Sequence, residues 1–430
     1  MNKRYHSQRP NLSTGFLVVG NCAPSTGLAR VLKTLCAGLL CTFAAASSVE
    51  ADTGPAAVTT TTGTKPRARA LGIPFEGQPG RWNAITDVPQ VEVGHTTLIS
   101  GTGPLKVGQG PVRTGVTAIF PHGKSSRARS VAGVVSLNGN GELTGSHWLT
   151  ESGFLESPII LTNTHSVGVA HDAVIAWGNR HFPPRGLLDE AFSLPVVAET
   201  YDGVLNDING FHVKPEHVFA ALDSARSGPV SEGNVGGGTG MMTSEFKGGI
   251  GTSSRVVSLP SGKYTVGVLV QANYGRRGDL RIAGVPIGKE IADLMPVFPQ
   301  LQEKRRDGSL IVVVGTDAPL LPHQMARLVR RVSVGLGRLG AVSYNSSGDI
   351  FIGFGMPEPE PTATGIQTWT AISNEGIDKL LQATVHATEE SIVNALIAAE
   401  TMVGASGATV YALPHDRLRE VLRKYGRLVQ

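Results

Sequence analysis

The feature that most constrains the fold of this chain is the unbroken apolar run from Leu310 to Val314. A run of leucine, isoleucine and valine without a polar interruption predicts a buried strand. The tripeptide Asp307-Gly308-Ser309 stands directly before it, so Ser309 occupies the first position of that strand. The same tripeptide is also typical of a glycine-containing turn that enters a strand, and such turns are common.

The position of Ser309 also suggests chemistry. No histidine neighbours this serine in the sequence to activate its hydroxyl. Backbone cleavage before Ser309 would give it a free α-amine, which titrates at about pH 8 and can act as a general base. The pattern therefore predicts a chain that cuts itself between Gly308 and Ser309, and the plain turn remains the alternative.

Composition indicates a globular protein. With 430 residues, 41% hydrophobic content and 54 glycines, the chain can bury one large core or two moderate ones. The formal charge of +4 lies entirely within residues 1–51, and the remainder of the chain is neutral. This distribution, with an aromatic fraction of 6%, offers neither an electrostatic nor a stacking surface for nucleic acid.

Residues 1–51 have the pattern of a secretory signal. Arg30 and Lys33 precede a short apolar stretch over residues 35–46, and Val49-Glu50-Ala51 fits a small-x-small cleavage site. A buried helix or a membrane anchor is the alternative, but the stretch is shorter than the ~20 residues that cross a bilayer. We therefore expect a periplasmic or secreted protein with no membrane attachment after its leader is removed.

All three cysteines, Cys22, Cys36 and Cys41, fall within this leader. The cleaved chain would have no cysteine, which excludes a disulfide scaffold, a thiolate nucleophile and a cysteine-ligated metal site. Lipid attachment at Cys41 is disfavoured, because Leu40 is large where a small residue is expected. The histidines show no metal-binding spacing, so we expect no metal.

The rest of the chain divides into a linker and a mixed α and β region. Residues 52–68 are rich in Thr, Gly, Pro and Ala and predict a flexible linker, and the folded region is expected to begin near Arg69. Predicted strands cover residues 84–88, 91–95, 131–137, 159–162, 266–270, 310–314 and 350–354. Predicted helices cover residues 171–177, 288–294, 325–336 and a segment that follows Thr388, with Ile392, Leu396, Ala399 and Val403 on one face.

Several segments together resemble those of one enzyme family, in the family's order. They lie at residues 84–88, 93–97, 137–145, 199–203, 271–275 and 307–324, and the last contains the Gly308–Ser309 bond. On these segments the chain resembles the self-cleaving L-aminopeptidase/D-amidase-esterases and the β-peptidyl aminopeptidases, from about Arg69 to the C terminus. Several matching segments in the family's order are a more specific signal than any single segment.

The resemblance implies a fold, an assembly and an activity. The implied fold is α/β, a four-layer α/β/β/α sandwich similar in layering to N-terminal-nucleophile hydrolases but different in connectivity. Residues 69–308 would form the α chain and residues 309–430 the β chain of one catalytic domain, in a homo-oligomer such as a tetramer of αβ units. The implied enzyme needs no cofactor and hydrolyses short peptides, amino-acid amides or esters with a free amine, built from L-α, D-α or β-amino acids.

The resemblance also implies roles for individual residues. Ser309 would attack the Gly308 carbonyl in the cleavage step and then serve as both nucleophile and carrier of the basic amine. Asn273 matches the family's oxyanion-hole position. Tyr201 matches a tyrosine that hydrogen-bonds near the tetrahedral centre.

Three further residues complete the implied site. Ser347 and Asp349 would hold and polarise the amine and hydroxyl of Ser309, although relatives often carry glutamate at the Asp349 position. Glu199 matches the acid that receives the free amine of the substrate.

Each of these residues also has an ordinary structural interpretation. Asn273 fits a turn after the strand 266–270, Tyr201 a half-buried core position and Glu199 a surface carboxylate. Ser347 and Asp349 fit a capped turn.

The glycine-rich run from Gly233 to Gly251 does not predict a phosphate-binding loop. Its spacing fits neither the dinucleotide motif nor a Gly-Lys-Ser/Thr ending, since Gly248 follows Lys247. We expect a close-packed loop near the cleavage site instead.

Two other functions compete with the aminopeptidase hypothesis. An enzyme of the ornithine acetyltransferase type also cleaves itself, but its nucleophile is threonine and its cytoplasmic role needs no leader. A secreted binding protein that keeps the fold unprocessed would use Ser309 only as a turn residue.

Overall fold

The computed structural model describes residues 65–183, 192–299 and 308–429. The predicted secretory leader with its three cysteines, and nearly all of the predicted linker, lie outside these ranges. Ala68 is fully buried and its N–H donates to Asn394 Oδ1, so packed structure begins before Arg69. Asn394, from the distant C-terminal part of the chain, thus holds the start of this segment in place.

The described residues form both strands and helices throughout. The strands are β1 (Glu92–Ser100), β2 (Val112–Phe120), β3 (Ser130–Gly139), β4 (Phe154–Leu155), β5 (Ile159–Asn163), β6 (Val196–Thr200), β7 (Met242–Thr243), β8 (Phe246–Lys247), β9 (Gly249–Leu259), β10 (Gly262–Tyr274), β11 (Gly308–Thr316), β12 (Gly348–Pro357), β13 (Met402–Val403) and β14 (Thr409–Val410). The α-helices are α1 (Ser146–Ser152), α2 (Val167–His181), α3 (Pro215–Asp223), α4 (Ile287–Glu290), α5 (Pro322–Val329), α6 (Val332–Arg338), α7 (Asp378–Ala398) and α8 (His415–Lys424).

The larger sheet is built around the strand that the apolar run predicts. Its six strands lie in the order β4-β3-β12-β11-β10-β9, and β11 pairs in parallel with β12 and antiparallel with β10. Leu310, Val312 and Val314 belong to one core cluster, whereas Ile311 and Val313 belong to another. The strand is therefore buried on both faces, as its composition predicts.

The smaller sheet has four strands in the order β1-β2-β5-β6. One core cluster combines its side chains, such as Ile119 and Leu161, with Leu269 and Ile352 of the larger sheet. A second cluster joins the smaller sheet to α2 and α3, and a third joins the larger sheet to α5, α6 and α7. The fold is mixed α/β, as predicted.

The predicted strand at residues 84–88 is wrong. Residues Ile85–Asp87 form a 3₁₀ turn, because the Asp87 carboxylate accepts hydrogen bonds from the backbone N–H groups of Trp82 and Ala84. Thr252 Oγ1 accepts the N–H of Ile85. Side-chain acceptors therefore replace the strand partners that this segment would otherwise need.

The predicted strands at residues 131–137, 159–162, 266–270 and 350–354 are confirmed as parts of β3, β5, β10 and β12, and the one at 91–95 is confirmed as the start of β1, which begins at Glu92. The helix at residues 171–177 is confirmed as part of α2.

Three predicted helices have different bounds. The segment 325–336 is divided into α5 and α6, with a tight Arg331 N–H to Leu328 O bond between them. The segment 288–294 contains only the single turn α4. The helix expected after Thr388 begins at Asp378 and ends at Ala398, so Ala399 and Val403 lie beyond it. Because α7 is buried on nearly all sides, one apolar face does not mark its length.

Across residues 65–183, 192–299 and 308–429, none of the helices combines the length and the apolarity needed to cross a membrane.

Candidate active site

Pairing within the larger sheet brings predicted residues together at one end of β11. Ser309 pairs with Asn273 of β10 on one side and with Gly348 of β12 on the other. Ser347 and Asp349 flank Gly348 in the chain. Ser309 and Asn273 are 6% and 7% exposed, and directly paired antiparallel residues point to the same face. The hydroxyl and the amide are thus neighbours in a nearly closed site.

Gly308, which precedes the serine, has a backbone that only glycine accommodates easily. Its φ is +76°, in the left-handed region, and a Cβ at this position would lie 1.8 Å from the carbonyl oxygen of Asn273. Asp307 lies outside the described residues. The bond between Gly308 and Ser309 is therefore held against β10 by close backbone contact.

The Asn273 side chain is oriented by two hydrogen bonds. Its Oδ1 accepts the N–H of Met242 at 2.8 Å, and its Nδ2 donates to the Tyr201 carbonyl at 3.0 Å. Because an amide nitrogen carries two hydrogens, Nδ2 has a second hydrogen to donate besides the one bonded to the Tyr201 carbonyl. Asn273 lies within β10 and not in a turn after it, so the turn interpretation is wrong.

Ser347 and Asp349 form a buried pair. Ser347 Oγ donates to Asp349 Oδ1 at 2.8 Å, and the two residues are 2% and 1% exposed. Burial raises the pKa of the Asp349 carboxyl, and the hydrogen bond from Ser347 opposes this rise. Burial and the charge of Asp349 together raise the pKa of Tyr274. Among the described residues, the Ser347 hydroxyl donates to Asp349 and not to Ser309.

Glu199 is buried, contrary to its interpretation as a surface carboxylate. It is 3% exposed, and it accepts hydrogen bonds from the backbone N–H of Glu142 and from the Thr164 hydroxyl. Burial raises the pKa of Glu199, and these two hydrogen bonds oppose the rise. A Cβ placed on Gly141 would lie 3.3 Å from Glu199 Oε1 and 3.5 Å from Gly348 Cα, so the carboxylate lies near the β12 end of the site.

Tyr201 contributes its backbone to the site. Its carbonyl is the acceptor that orients Asn273. Its hydroxyl lies near Gly203, where an added Cβ would be 2.4 Å away from it. The predicted hydrogen bond from this hydroxyl to the reacting centre stays a prediction.

Residues that the sequence did not single out hold these groups in place. Met242 and Thr164 supply hydrogen bonds to Asn273 and Glu199. Lys247 is fully buried, and burial lowers the pKa of its amine well below the usual range. The sequence feature that could have pointed to Lys247 is its position as a lysine within a glycine-rich run of small residues. The part of the run before Met242 is a packed loop with one 3₁₀ turn, whereas the rest forms β7, β8 and the start of β9, so the predicted loop is confirmed only in part.

A small cavity lies beside this site, and a larger one lies far from it. A cavity of about 10 Å³ beside Tyr274 and Ser347 has room for about one water molecule. A larger cavity of about 290 Å³ is lined by Ser130 and Trp177, at the end of β3 opposite to the one that pairs with Gly348. In the part of the chain that the structure describes, no three His, Cys, Asp or Glu side chains gather as metal ligands.

Together these groups can support acyl transfer. A hydroxyl next to an oriented amide N–H provides a nucleophile and a donor for a developing oxyanion. A buried carboxylate bonded to a second hydroxyl can hold and polarise a neighbouring amine.

Comparison with known proteins agrees with this chemistry. The profile of peptidase family S58 matches residues 83–410. The chain belongs to peptidase family S58. It is 51% identical over 375 residues to the beta-peptidyl aminopeptidase BapA of Sphingosinicella microcystinivorans, a match that covers 84% of this chain and 93% of that protein. It is 50% identical over 369 residues to BapA of Sphingosinicella xenopeptidilytica, with 83% and 91% covered.

A solved structure that is similar to this chain supports the fold. The L-aminopeptidase D-Ala-esterase/amidase of Ochrobactrum anthropi is described as a prototype for the serine aminopeptidases and as a new variant of the Ntn hydrolase fold. It shares 48% identity with this chain at a TM-score of 0.79, over 85% of this chain and all of that one. As a member of family S58, the chain is a serine-type aminopeptidase, which confirms the resemblance seen in its sequence.

Proposed function

We propose that this chain cleaves its own Gly308–Ser309 bond and then acts as an N-terminal-serine aminopeptidase. The observation that carries the proposal is the strand register, which pairs Ser309 with Asn273 and with Gly348. One buried strand end thereby holds a hydroxyl and an oriented amide, beside the Ser347 and Asp349 pair. The competing binding-protein hypothesis gives no reason for this grouping.

In the cleavage step, Ser309 Oγ attacks the carbonyl carbon of Gly308. The hydroxyl proton passes to the departing nitrogen of Ser309, and the peptide bond becomes an ester. The free hydrogen of Asn273 Nδ2 stabilises the oxyanion that forms in between. Water then hydrolyses the ester, which leaves a carboxylate on Gly308 and a free hydroxyl and α-amine on Ser309.

Substrate turnover repeats this acyl transfer on a new carbonyl. The Ser309 amine takes the hydroxyl proton as Oγ attacks, and the leaving amine or alcohol takes that proton as the bond breaks. Ser347 and Asp349 hold the Ser309 amine, and Tyr201 contributes near the tetrahedral centre. Water releases the acyl group and restores the hydroxyl. The chain's own groups supply every proton transfer.

The proposed substrates are short peptides, amino-acid amides or esters with a free N-terminal amine. Two relatives with 51% and 50% sequence identity are named beta-peptidyl aminopeptidases, and a third similar protein is named an L-aminopeptidase and D-Ala-esterase/amidase. We therefore include β-, L-α- and D-α-amino acids. Glu199 receives the substrate amine, because a buried carboxylate near Gly348 forms a strong charge-assisted bond with an ammonium group.

Glu199→Gln is expected to lower kcat/KM for free-amine substrates by about 10- to 100-fold, mainly through KM, because the charge-assisted bond is lost. Hydrolysis of the same substrates with an acetylated amine is expected to stay at its low wild-type level. Glu142→Gln is the matched control, since Glu142 is exposed and contacts Glu199 through its backbone. Equal losses for free and acetylated substrates would contradict the assignment of Glu199.

This assignment also gives the sign of a pH effect. Burial raises the pKa of Glu199, so its carboxylate takes up a proton at higher pH than an ordinary glutamate. The charge that binds the substrate amine is present above this pKa and is lost below it. KM should therefore rise as pH falls through the raised pKa, and this rise should be absent in Glu199→Gln.

Assembly and location complete the proposal. A four-layer α/β/β/α order is supported by core clusters that lie between the sheets and between each sheet and its helices. We propose export after removal of residues 1–51, supported by the signal pattern, to the periplasm or outside the cell. We also propose a homo-oligomer, such as a tetramer of αβ units, without a nucleic-acid partner.

A further inference from the structure

A short hairpin lies against Asn273. It consists of β7 and β8, which pair antiparallel with Met242 opposite Lys247. Its two turn residues, Ser244 and Glu245, have φ angles of +49° and +59°. Positive φ at both positions is the signature of a type I′ turn, which joins two strands tightly. A hairpin this short is not stable alone, so its neighbours must fix its position.

Three hydrogen bonds tie this hairpin to consecutive residues of β10. They run from Thr243 Oγ1 to Ala272 O (2.7 Å), from Met242 N to Asn273 Oδ1 (2.8 Å), and from Ser244 N to Tyr274 O (2.7 Å). The middle bond reaches the Asn273 side chain and decides which end of its amide faces the hairpin. The direction of Asn273 Nδ2 therefore depends on where the hairpin stands.

Lys247 holds both ends of the hairpin. Its Nζ donates to Met241 O at 2.7 Å, just before β7, and to Gly248 O at 2.8 Å, just after β8. A longer contact of 3.4 Å reaches Gly238 O in the glycine-rich loop. These carbonyls match the three hydrogens of an ammonium group. Each of these partners is a backbone carbonyl, and the lysine side chain is fully buried.

Stability alone does not explain a lysine at this buried position. Moving an amine out of water without a carboxylate partner is unfavourable, and an apolar side chain of similar length would fill the same space at lower cost. Its bonds do, however, fix the hairpin that orients Asn273.

We infer that Lys247 is a positioning residue that aligns the oxyanion donor Asn273 through the Met242–Lys247 hairpin. The inference rests on the proposed role of Asn273 in acyl transfer. Lys247 contacts backbone carbonyls of the hairpin and its loop, so its loss misdirects the donor without removing a substrate contact. The effect falls on kcat more than on KM, and on self-cleavage as well as on turnover.

The test compares Lys247→Met with wild type and with Lys263→Met, a change of an exposed lysine on the same strand as Asn273. Lys247→Met should slow self-cleavage and lower kcat on an amino-acid p-nitroanilide by about tenfold or more, with KM within about twofold. Turnover is counted per processed chain, and Lys263→Met should match wild type.

A double-mutant cycle separates positioning from general destabilisation. In an Asn273→Ala background, Lys247→Met should slow self-cleavage by less than about twofold further, because the group that it aligns is already absent. The same fold loss in both backgrounds, or wild-type kcat in Lys247→Met, would overturn the inference. The proposed function fails separately, if Ser309→Ala still cleaves.

A second variant covers the case in which Lys247→Met does not fold. Thr243→Val keeps the side-chain shape but removes the hairpin's bond to Ala272 O. It should lower kcat several-fold with KM unchanged, and this loss should also vanish in the Asn273→Ala background. An unchanged kcat, or a loss that persists in that background, would show that the hairpin does not position Asn273.

Discussion

Asn273→Ala is expected to lower kcat by about 10²- to 10³-fold and to slow self-cleavage by a similar factor. Loss of one oxyanion donor removes about 2.7–4 kcal/mol of transition-state stabilisation. The same amide serves both reactions, since both proceed through attack by Ser309 Oγ. KM should change little. The measurements are the rate at which precursor converts to two chains, followed on denaturing gels, and steady-state hydrolysis of an amino-acid p-nitroanilide.

Asn394→Ala is the matched control for this prediction. Asn394 is also a buried amide, and it also donates to a backbone carbonyl (2.9 Å) and accepts from a backbone N–H (3.0 Å). It should therefore lower thermal stability without changing kcat per folded molecule. If Asn394→Ala and Asn273→Ala lower kcat equally, Asn273 acts only through stability and the oxyanion assignment fails.

Gly308→Ala is expected to slow self-cleavage about 100-fold, because a shift of the reacting group by about 1 Å can cost this much. The added Cβ would lie 1.8 Å from the Asn273 carbonyl oxygen, so the two backbones must separate where the bond is cut. The left-handed backbone adds a cost of about 1 kcal/mol for alanine. The time course of precursor conversion at fixed temperature measures the effect.

Gly365→Ala isolates the cost of the backbone conformation. Gly365 has a φ of +78°, close to the +76° of Gly308, but an added Cβ there would meet nothing within 4 Å. Its self-cleavage should proceed at the wild-type rate. A Gly308→Ala protein that converts as fast as Gly365→Ala would show that the contact between Gly308 and Asn273 does not govern the cleavage geometry.

Local sequence was sufficient to predict the strand that carries the nucleophile. The run from Leu310 to Val314 is short and has no polar residue, and a strand covered on both faces buries such a run fully. The helix α2 and the strand β12 also follow from apolar patterning. The family resemblance added the site residues, which their local patterns alone would have left as turn, core and surface positions.

The remaining features depend on pairing between distant segments. Nothing in the local sequence of Asn273 tells that it pairs with Ser309, since register is set by the whole sheet. The burial of Glu199 is tolerated because Thr164 and the Glu142 backbone donate hydrogen bonds to its oxygens, which residue spacing does not reveal. Residues 84–88 look strand-like, but Asp87 accepts the N–H groups and forms a turn. In each case the structure depends on pairing or hydrogen bonds that apolar patterning does not reveal.

The most direct test of the central claim is the intact mass and N-terminal sequence of the purified protein, measured beside its Ser309→Ala variant. We predict two chains for the wild type, one of which begins Ser309-Leu310-Ile311, and no cleavage at this bond in the variant. A wild-type protein that stays whole between Gly308 and Ser309, or a variant that is cut there at the same rate, would contradict the account.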